Sequence, residues 1–163
     1  MRIAVIADTH LPRGARKLPE ACVERLRAAD LVLHAGDVTG RAFWDELSAL
    51  GPRIEGVHGN IDDPALAALL PETRVLEVDG VRVAMIHSAG PRAGREARLA
   101  RRFPKCDAVV YGHTHTPQVE RWQGLWILNP GSPTERRRAP ARTMLELRTE
   151  GGDLVPELIE LGI

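Results

Sequence analysis

The stretch "RIAVIADTH", residues 2–10, joins an apolar, β-branched run to a carboxylate and a histidine. A short, continuous apolar run of this kind is typical of a strand that is buried on both faces. Asp8 and His10 follow the run directly, at the point where the strand must end. The pattern therefore predicts a buried strand whose carboxyl end carries two groups that can bind a metal ion.

Four further predicted strands end in polar groups of the same kind. The groups are Asp37 in "AGD", Asn60 in "HGN", His87 in "IHS", and the pair His113 and His115 in "GHTH". Ligands of open α/β sheets bind at the carboxyl ends of the strands. Five loops are therefore expected to bring seven metal-competent side chains to one sheet edge.

The segments around these strands predict helices and hairpins. Helices are predicted at 18–29, 41–50, 63–70 and 92–103. These segments show helical spacing of apolar residues or, at 63–70, an N-cap at Asp63 before Pro64. Turn signals pair strands 74–78 with 81–87, 118–122 with 125–128, and 143–147 with 154–160. We predict one mixed α/β layered domain over 1–163, with parallel strands early and antiparallel strands late.

Composition excludes several classes of protein. The formal net charge is zero, so nothing global favours a nucleic-acid partner. Cys22 and Cys106 lie far apart, without the spacing of a zinc finger or a disulfide framework. The first apolar run is too short for a signal peptide, and no run approaches the about 18 residues of a membrane span. These features predict a cytoplasmic protein without a membrane partner.

The ligand types indicate the class of metal. Mixed oxygen and nitrogen ligands suit Mn²⁺, Fe, Zn²⁺, Co²⁺ or Ni²⁺ better than Ca²⁺. Seven groups are too many for one four-coordinate ion, but they suit two ions that share a carboxylate and keep positions open for water. Glycine precedes three of the groups, at Gly36, Gly59 and Gly112, and permits tight turns and close backbone approach there.

The motif order D-x-H, G-D, G-N, a lone histidine and G-H-x-H resembles that of the calcineurin-like metallophosphoesterases. "NPGSP" at 129–133 is similar to a segment of the small, single-domain bacterial and archaeal members. The resemblance implies a four-layer αββα sandwich with a dinuclear site at its sheet edge. It also implies the division of ligands: one metal for Asp8, His10 and His115, the other for Asn60, His87 and His113, and Asp37 as the bridge. We expect two divalent transition-metal ions, with manganese favoured and nickel, iron, cobalt or zinc as alternatives.

Each motif has an ordinary structural interpretation when it is taken alone. A single Asp or Asn after a strand is often a turn residue or a helix cap, and His87 could be a core histidine. All six histidines lie in or beside the five motifs, which favours the metal interpretation of the set. His34 and His58 are expected to pack against a ligand or to hydrogen-bond to one. We interpret the arginine-rich helix predicted at 92–103 as a solvated face. We leave open whether the loop Arg136–Arg138 approaches the site.

One position departs from the family pattern. Larger relatives carry a histidine directly after the motif asparagine, where it is thought to protonate the leaving oxygen or stabilise its charge. Here Ile61 takes that position and can do neither. Loss of a general acid typically costs about 10²–10⁴-fold in rate. His58 or a metal-bound water is left as the alternative proton donor, and no catalytic side chain is assigned.

The sequence therefore predicts a metal-dependent phosphoesterase in which a hydroxide that bridges the ions attacks phosphorus. Phosphodiesters are favoured over monoesters, because the general acid is missing and because small relatives often prefer diesters. The substrate is expected to be a small phosphoester. The alternative is a non-catalytic, metal-binding scaffold that resembles the retromer subunit of the same fold. A hairpin at 118–128 leaves pairing between copies of the chain open.

Overall fold

The computed structural model describes the whole chain, residues 1–163, as ten strands and four helices. In chain order these are β1 (Arg2–Ile6), α1 (Glu20–Arg27), β2 (Leu31–His34), α2 (Arg41–Ser48), β3 (Arg53–Gly56), α3 (Pro64–Leu69), β4 (Thr73–Val78), β5 (Val81–Ile86), α4 (Arg95–Arg102), β6 (Ala108–Val110), β7 (Gln118–Trp122), β8 (Leu125–Asn129), β9 (Thr143–Glu150) and β10 (Asp153–Glu160). The predicted order of elements is confirmed. The largest differences are a later start of α4 and a later end of β9.

The strands form two five-stranded mixed sheets. Their orders are β10-β9-β1-β2-β3 and β4-β5-β6-β8-β7. β1 is parallel to β2 and antiparallel to β9, while β6 is parallel to both β5 and β8. The expected early parallel portion is confirmed by β1, β2 and β3, and the late hairpins β7-β8 and β9-β10 are antiparallel as expected. The expectation is wrong for β6, which is parallel to both of its neighbours. The crossover through α4 places β6 parallel to β5, and β9 returns from the end of the chain to pair with β1.

Three apolar clusters hold four layers together. The largest lies between the sheets and contains Ile3 and Val5 of β1. The alternate residues Ala4 and Ile6 face the other way, into a second cluster with α1, α2 and α3. A third cluster joins the outer face of the other sheet to Leu99 of α4. The predicted αββα sandwich is confirmed, and burial of both faces of β1 explains its unbroken apolar sequence.

The helices are short and are defined by local signals. α3 begins as predicted, because the Asp63 carboxylate accepts a hydrogen bond from the Leu66 N–H (2.8 Å) and Pro64 occupies the first turn. α1, α2 and α4 have eight residues each. None of the helices has the length and apolar character needed to cross a membrane.

Candidate metal centre

A first group of ligand atoms forms where β1 and β6 end. Asp8 and His10 follow β1, and His115 follows β6. The Asp8 Oδ1 atom lies 3.5 Å from His115 Nε2 and 3.9 Å from His10 Nε2. All three residues are buried. We refer to these residues as group one.

A second group forms beside it from the ends of β2, β5 and β6. It consists of Asp37, His87 and His113, and the Asp37 Oδ2 atom lies 3.2 Å from His87 Nε2. The Asn60 side-chain oxygen lies 3.1 Å from both His87 Nε2 and His113 Nδ1, so it belongs to the same cluster. His113 is exposed, unlike every member of group one. We refer to these four residues as group two.

Asp37 belongs to group two, but its carboxylate also faces group one. Its Oδ2 atom lies 3.4 Å from His10 Nε2 of group one and 3.2 Å from His87 Nε2 of group two. Its other oxygen, Oδ1, accepts a hydrogen bond from the Ile61 N–H (3.1 Å). The structure thus brings all seven of the side chains named from sequence together, with one carboxylate oxygen between the two groups.

The ligand atoms of group one make no hydrogen bond within the protein. Asp8 Oδ1, His10 Nε2 and His115 Nε2 are buried, yet none of them forms a hydrogen bond. Buried polar atoms are almost always hydrogen-bonded, because an unsatisfied one costs about 1–3 kcal/mol. A divalent cation would satisfy the three atoms at once, so the residues fit a metal ion of the nitrogen- and oxygen-binding class.

Outer hydrogen bonds turn two imidazoles toward the groups. His87 Nδ1 donates to the Ala35 carbonyl (2.8 Å), and His115 Nδ1 donates to the Glu135 carbonyl (3.0 Å). A carbonyl oxygen can only accept, so the proton is on Nδ1 and the Nε2 lone pair points inward. This arrangement is typical of histidines that bind metal ions.

The carboxylates have pKa values displaced in opposite directions. Burial raises the pKa of Asp8 to about 7. Burial acts the same way on Asp37, but its contacts with His10 and His87 outweigh burial and hold the pKa of that carboxyl below its usual range. Burial lowers the pKa of His115 to about 4, so this imidazole is neutral at pH 7 and can act as a ligand.

Most of the candidate ligands have an unusual backbone conformation. Asp8, His10, Asp37, His113 and His115 all have positive φ angles, between 49° and 70°. Such angles are uncommon outside glycine, and they cluster at functional sites because a side chain must be aimed in a particular direction. Asp, Asn and His tolerate this region better than most residues.

Glycine is required beside Asp37. A Cβ atom added to Gly59 would lie 2.0 Å from Asp37 Oδ1, which is inside any allowed contact. Gly36 has a φ of +91°, and its Cβ would lie 2.6 Å from His87 Nδ1. The predicted close backbone approach at these glycines is therefore confirmed.

The two remaining histidines take different positions. His34 is fully buried, and its Nδ1 accepts a hydrogen bond from the Gly36 N–H (3.2 Å). Its Nε2 therefore donates to the Thr9 hydroxyl (3.0 Å), and Thr9 lies between two ligands of the first loop. His58 instead lines a cavity beside group two. Neither residue belongs to a ligand group.

The cavity beside group two encloses about 370 Å³. Asn60, His87 and His113 form one side of it, and further polar lining comes from His58, Glu72, Ser88 and Arg102. A larger cavity of about 410 Å³, mainly apolar, lies between α1 and α2 and contains none of the seven candidate ligands. Proximity to the ligand groups makes the smaller cavity the candidate substrate site.

The arginine-rich helix is only partly a solvated face. Arg95 is buried, and its guanidinium donates a hydrogen bond to the Tyr111 hydroxyl (2.9 Å). Arg98 donates to the Ala89 carbonyl (2.7 Å). Our interpretation of the whole helix as solvated was wrong for these two residues, because the loop before α4 offers carbonyl oxygens that the sequence does not reveal. In the second arginine segment, Arg137 lies 3.8 Å from the Glu135 carboxylate.

Sequence reasoning missed three residues that shape the site. The two carboxylate oxygens of Asp62 accept hydrogen bonds from the Thr39 and Gly59 N–H groups, both at 2.7 Å. Ser132 donates to the Asp8 carbonyl (2.8 Å). The Glu135 carboxylate lies 3.3 Å from His10 Nδ1. Two features of the sequence could have pointed to them. Asp62 is a carboxylate two residues after Asn60, and Glu135 is a single acid beside the arginines 136–138.

Comparison with known proteins supports the family assignment. The model of the calcineurin-like phosphoesterase superfamily domain matches residues 1–152. A probable metallophosphoesterase of Methanothermobacter thermautotrophicus is 37% identical over 99% of this chain and 94% of its own length. Another, from Methanocaldococcus jannaschii, is 36% identical over 92% of this chain and 77% of its own length.

Solved structures show the same fold. The solution structure of TM1076 from Thermotoga maritima has a TM-score of 0.77 at 31% identity, covering 98% of each chain. Vps29 of Entamoeba histolytica, solved with zinc, has a TM-score of 0.77 at 24% identity, over 99% of this chain and 100% of its own. A structure described as an archaeal phosphodiesterase has a TM-score of 0.73 at 22% identity, over 98% of this chain and 100% of its own. The chain belongs to the calcineurin-like phosphoesterase superfamily.

Proposed function

We propose that residues 1–163 form one domain that hydrolyses small phosphodiesters with two divalent metal ions. The observation that carries this proposal is the position of Asp37, whose Oδ2 atom lies within 3.4 Å of a histidine of each ligand group. Two adjacent ligand groups with a shared carboxylate oxygen suit a pair of ions better than a single ion.

Group one would hold one ion and group two the other, with Asp37 between them. When bound, two divalent ions supply hydroxide at neutral pH and neutralise charge on the phosphoryl oxygens. The protein's own residues hold the donor atoms in place. The Ile61 N–H fixes one oxygen of Asp37, and the Ala35 carbonyl fixes the ring of His87. Manganese is our first choice of metal, since carboxylate ligands suit it, and the imidazoles keep nickel, iron and zinc as alternatives.

The cavity beside group two limits the substrate. Its volume of about 370 Å³ suits a small molecule rather than a polymer, and the polar lining suits a phosphoester. Ile61 offers no proton to a leaving oxygen, so esters with good leaving groups should react fastest. His58 lines the same cavity and is the candidate donor among the residues around it. We infer a preference for phosphodiesters over phosphomonoesters, because Ile61 cannot protonate the leaving oxygen.

A non-catalytic scaffold is the second candidate, because Vps29 structures share the fold. Likeness at this level of identity concerns the fold alone. Against a scaffold with an impaired metal site, all seven candidate ligand positions are occupied by side chains able to bind a metal, and three buried ligand atoms make no hydrogen bond. In a scaffold that binds no metal, these buried atoms would stay unsatisfied, which is rare in folded proteins.

One experiment separates the candidates. The metal-free protein is assayed with an aryl phosphodiester, an aryl phosphomonoester and a panel of nucleotides, each with and without Mn²⁺ or Ni²⁺. We expect metal-dependent turnover, fastest with the aryl diester. Binding of two ions without turnover of any ester would favour the scaffold. Faster turnover of the monoester would overturn the diester preference.

A further inference from the structure

The side chain of Glu135 lies behind group one. Its Oε2 atom is 3.3 Å from His10 Nδ1 and 3.6 Å from His115 Nδ1. The carboxylate is largely buried, with 18% of its side chain exposed. It contacts the ring nitrogens that face away from the inward-pointing Nε2 atoms. Glu135 therefore touches two candidate ligands without belonging to either group.

The two histidines depend on Glu135 in different ways. His115 Nδ1 donates to the Glu135 backbone carbonyl (3.0 Å), which survives any side-chain substitution. His10 has no such backbone partner. The Glu135 carboxylate is the only acidic group within 4 Å of His10 Nδ1. The orientation of the His10 ring therefore depends on the side chain, while that of His115 depends on the main chain.

The structure holds the Glu135 carboxylate in one orientation. Its Oε1 atom is bound by the guanidinium groups of Arg13 (3.0 Å) and Arg16 (2.9 Å), so Oε2 is left facing the histidines. The Glu135 N–H donates to the Ser132 hydroxyl (2.9 Å), which itself donates to the Asp8 carbonyl (2.8 Å). The segment 132–135 is thus attached to the loop that carries group one.

We propose that Glu135 is a positioning residue for the metal ion of group one. Its Oε2 atom holds the proton of His10 on Nδ1, so that the Nε2 lone pair faces Asp8 and His115. Carboxylates that contact a metal-binding histidine from behind orient the ring and raise its basicity, and their loss typically lowers metal affinity about 10–100-fold. The inference rests on the metal sites of the proposed function.

The test uses metal affinity rather than turnover. Wild type, Glu135→Ala and Glu135→Gln are titrated with Mn²⁺ and Zn²⁺ by calorimetry, with ¹⁵N-histidine NMR of the Zn²⁺-loaded proteins. For Glu135→Ala we expect about 10–100-fold weaker binding of one ion and an affinity for the other within about threefold of wild type. Glu135→Gln should lie between, because its amide oxygen can still accept a hydrogen bond from the His10 Nδ1–H. The Nδ1–H signal of His10 should weaken, and that of His115 should persist.

Two controls separate positioning from general stability. Glu157→Gln removes an exposed carboxylate of the edge strand β10, which carries no candidate ligand and lies 3.7 Å from Arg148, and should change neither affinity. The double variant Arg13→Ala with Arg16→Ala removes the two arginine contacts to Oε1 but keeps the carboxylate and its Arg137 contact. If it loses as much affinity as Glu135→Ala, the ion pairs and not the histidine contact are responsible, and the proposal fails.

The result also distinguishes this inference from the proposed function. Wild type that binds fewer than two ions would refute the proposed dinuclear site. Wild type that binds two ions, together with Glu135→Ala that binds both as tightly, would refute only the role of Glu135. Equal weakening at both sites, or loss of the His10 and His115 signals together, would show a general disturbance of the loop and would also overturn the proposal.

Discussion

Group one and group two use the same types of side chain in different surroundings. In group one, Asp8, His10 and His115 are all buried, and the segment 132–135 covers them from behind. In group two, His113 is exposed, and the group opens into the cavity of about 370 Å³. Group one is therefore enclosed by protein, whereas group two is accessible to a substrate.

In the proposed dinuclear site, group one would retain its ion and group two would admit the substrate. The donor atoms of group one have no alternative partner, so an ion there satisfies atoms that are otherwise buried and unpaired. In group two, the Asn60 side-chain oxygen already lies 3.1 Å from both His87 Nε2 and His113 Nδ1. A metal ion must displace those contacts. We therefore expect group one to bind its ion more tightly than group two.

Asp37→Asn should have the largest effect, because Asp37 contacts both groups. We expect turnover to fall below detection and both ions to bind more than about 100-fold more weakly, beyond the loss typical of an outer partner. Calorimetric metal titration and elemental analysis give the measurement. Loss of only one ion would show that Asp37 serves one group and does not bridge the two.

The loop "GHTH" provides a matched pair of variants that compares the two groups directly. His115→Ala should weaken chiefly the tight site, shared with Asp8 and His10, whereas His113→Ala should weaken chiefly the other. In each variant we expect the affected ion to bind about 100-fold more weakly, a loss at least as large as that caused by removing an outer hydrogen-bond partner of a ligand. Thermal melting of the metal-free variants serves as the folding control. Identical loss of both ions from both variants would contradict the division of ligands.

The open side of the site should respond to the residue after Asn60. The Ile61 side chain is 42% exposed and its N–H is already used by Asp37, so a new side chain can be added without loss of that hydrogen bond. Ile61→His should accelerate esters with poor leaving groups by about 10–100-fold and should leave good leaving groups nearly unchanged. Rates measured across a series of leaving-group pKa values provide the test.

His58→Ala is the companion variant to Ile61→His. If no side chain donates the proton in the wild type, His58→Ala should not change the dependence of rate on leaving-group pKa. If His58 is the donor, the wild type should depend only weakly on that pKa, and the dependence should become steep in His58→Ala. The second outcome would place the proton donor at His58 and would contradict the defect that we assign to Ile61.

The smallest effect concerns His34, beneath the loop of group one. Burial lowers its pKa to about 3, from about 6.5 in an unfolded chain. Between these values the unfolded chain binds a proton that the folded protein does not, so His34 lowers the free energy of unfolding as pH falls. The effect is at most about 1.4 kcal/mol per pH unit.

His34→Gln removes this titration and keeps a side chain that can hydrogen-bond. The difference in free energy of unfolding between wild type and variant should therefore shrink as pH falls from 7 to 4. Other titrating groups, including Asp8, are present in both proteins and cancel in the comparison. Urea denaturation at several pH values gives the measurement, and a difference that does not vary with pH would show that His34 is not held neutral.

The sequence alone determined the order of the elements and the seven candidate ligands. Buried strands such as "RIAVI" are recognisable because both faces of β1 are apolar, and each strand ends where a polar motif begins. The hairpin turn "DG" and the cap at Asp63 are local features, so they were predicted to within a residue or two. Information of this kind lies within a few neighbouring residues.

The sheet that each strand joins and the directions of the candidate ligands depend on tertiary contacts. β9 pairs with β1 across most of the chain, and Glu135 reaches His10 over a similar separation. No local pattern encodes such contacts, because they depend on how the packed layers bring distant loops together. The left-handed conformations of Asp8, Asp37 and His115 have the same origin. A strained backbone persists only where the surrounding packing holds it, so its presence follows from the complete fold and not from the residues that adopt it.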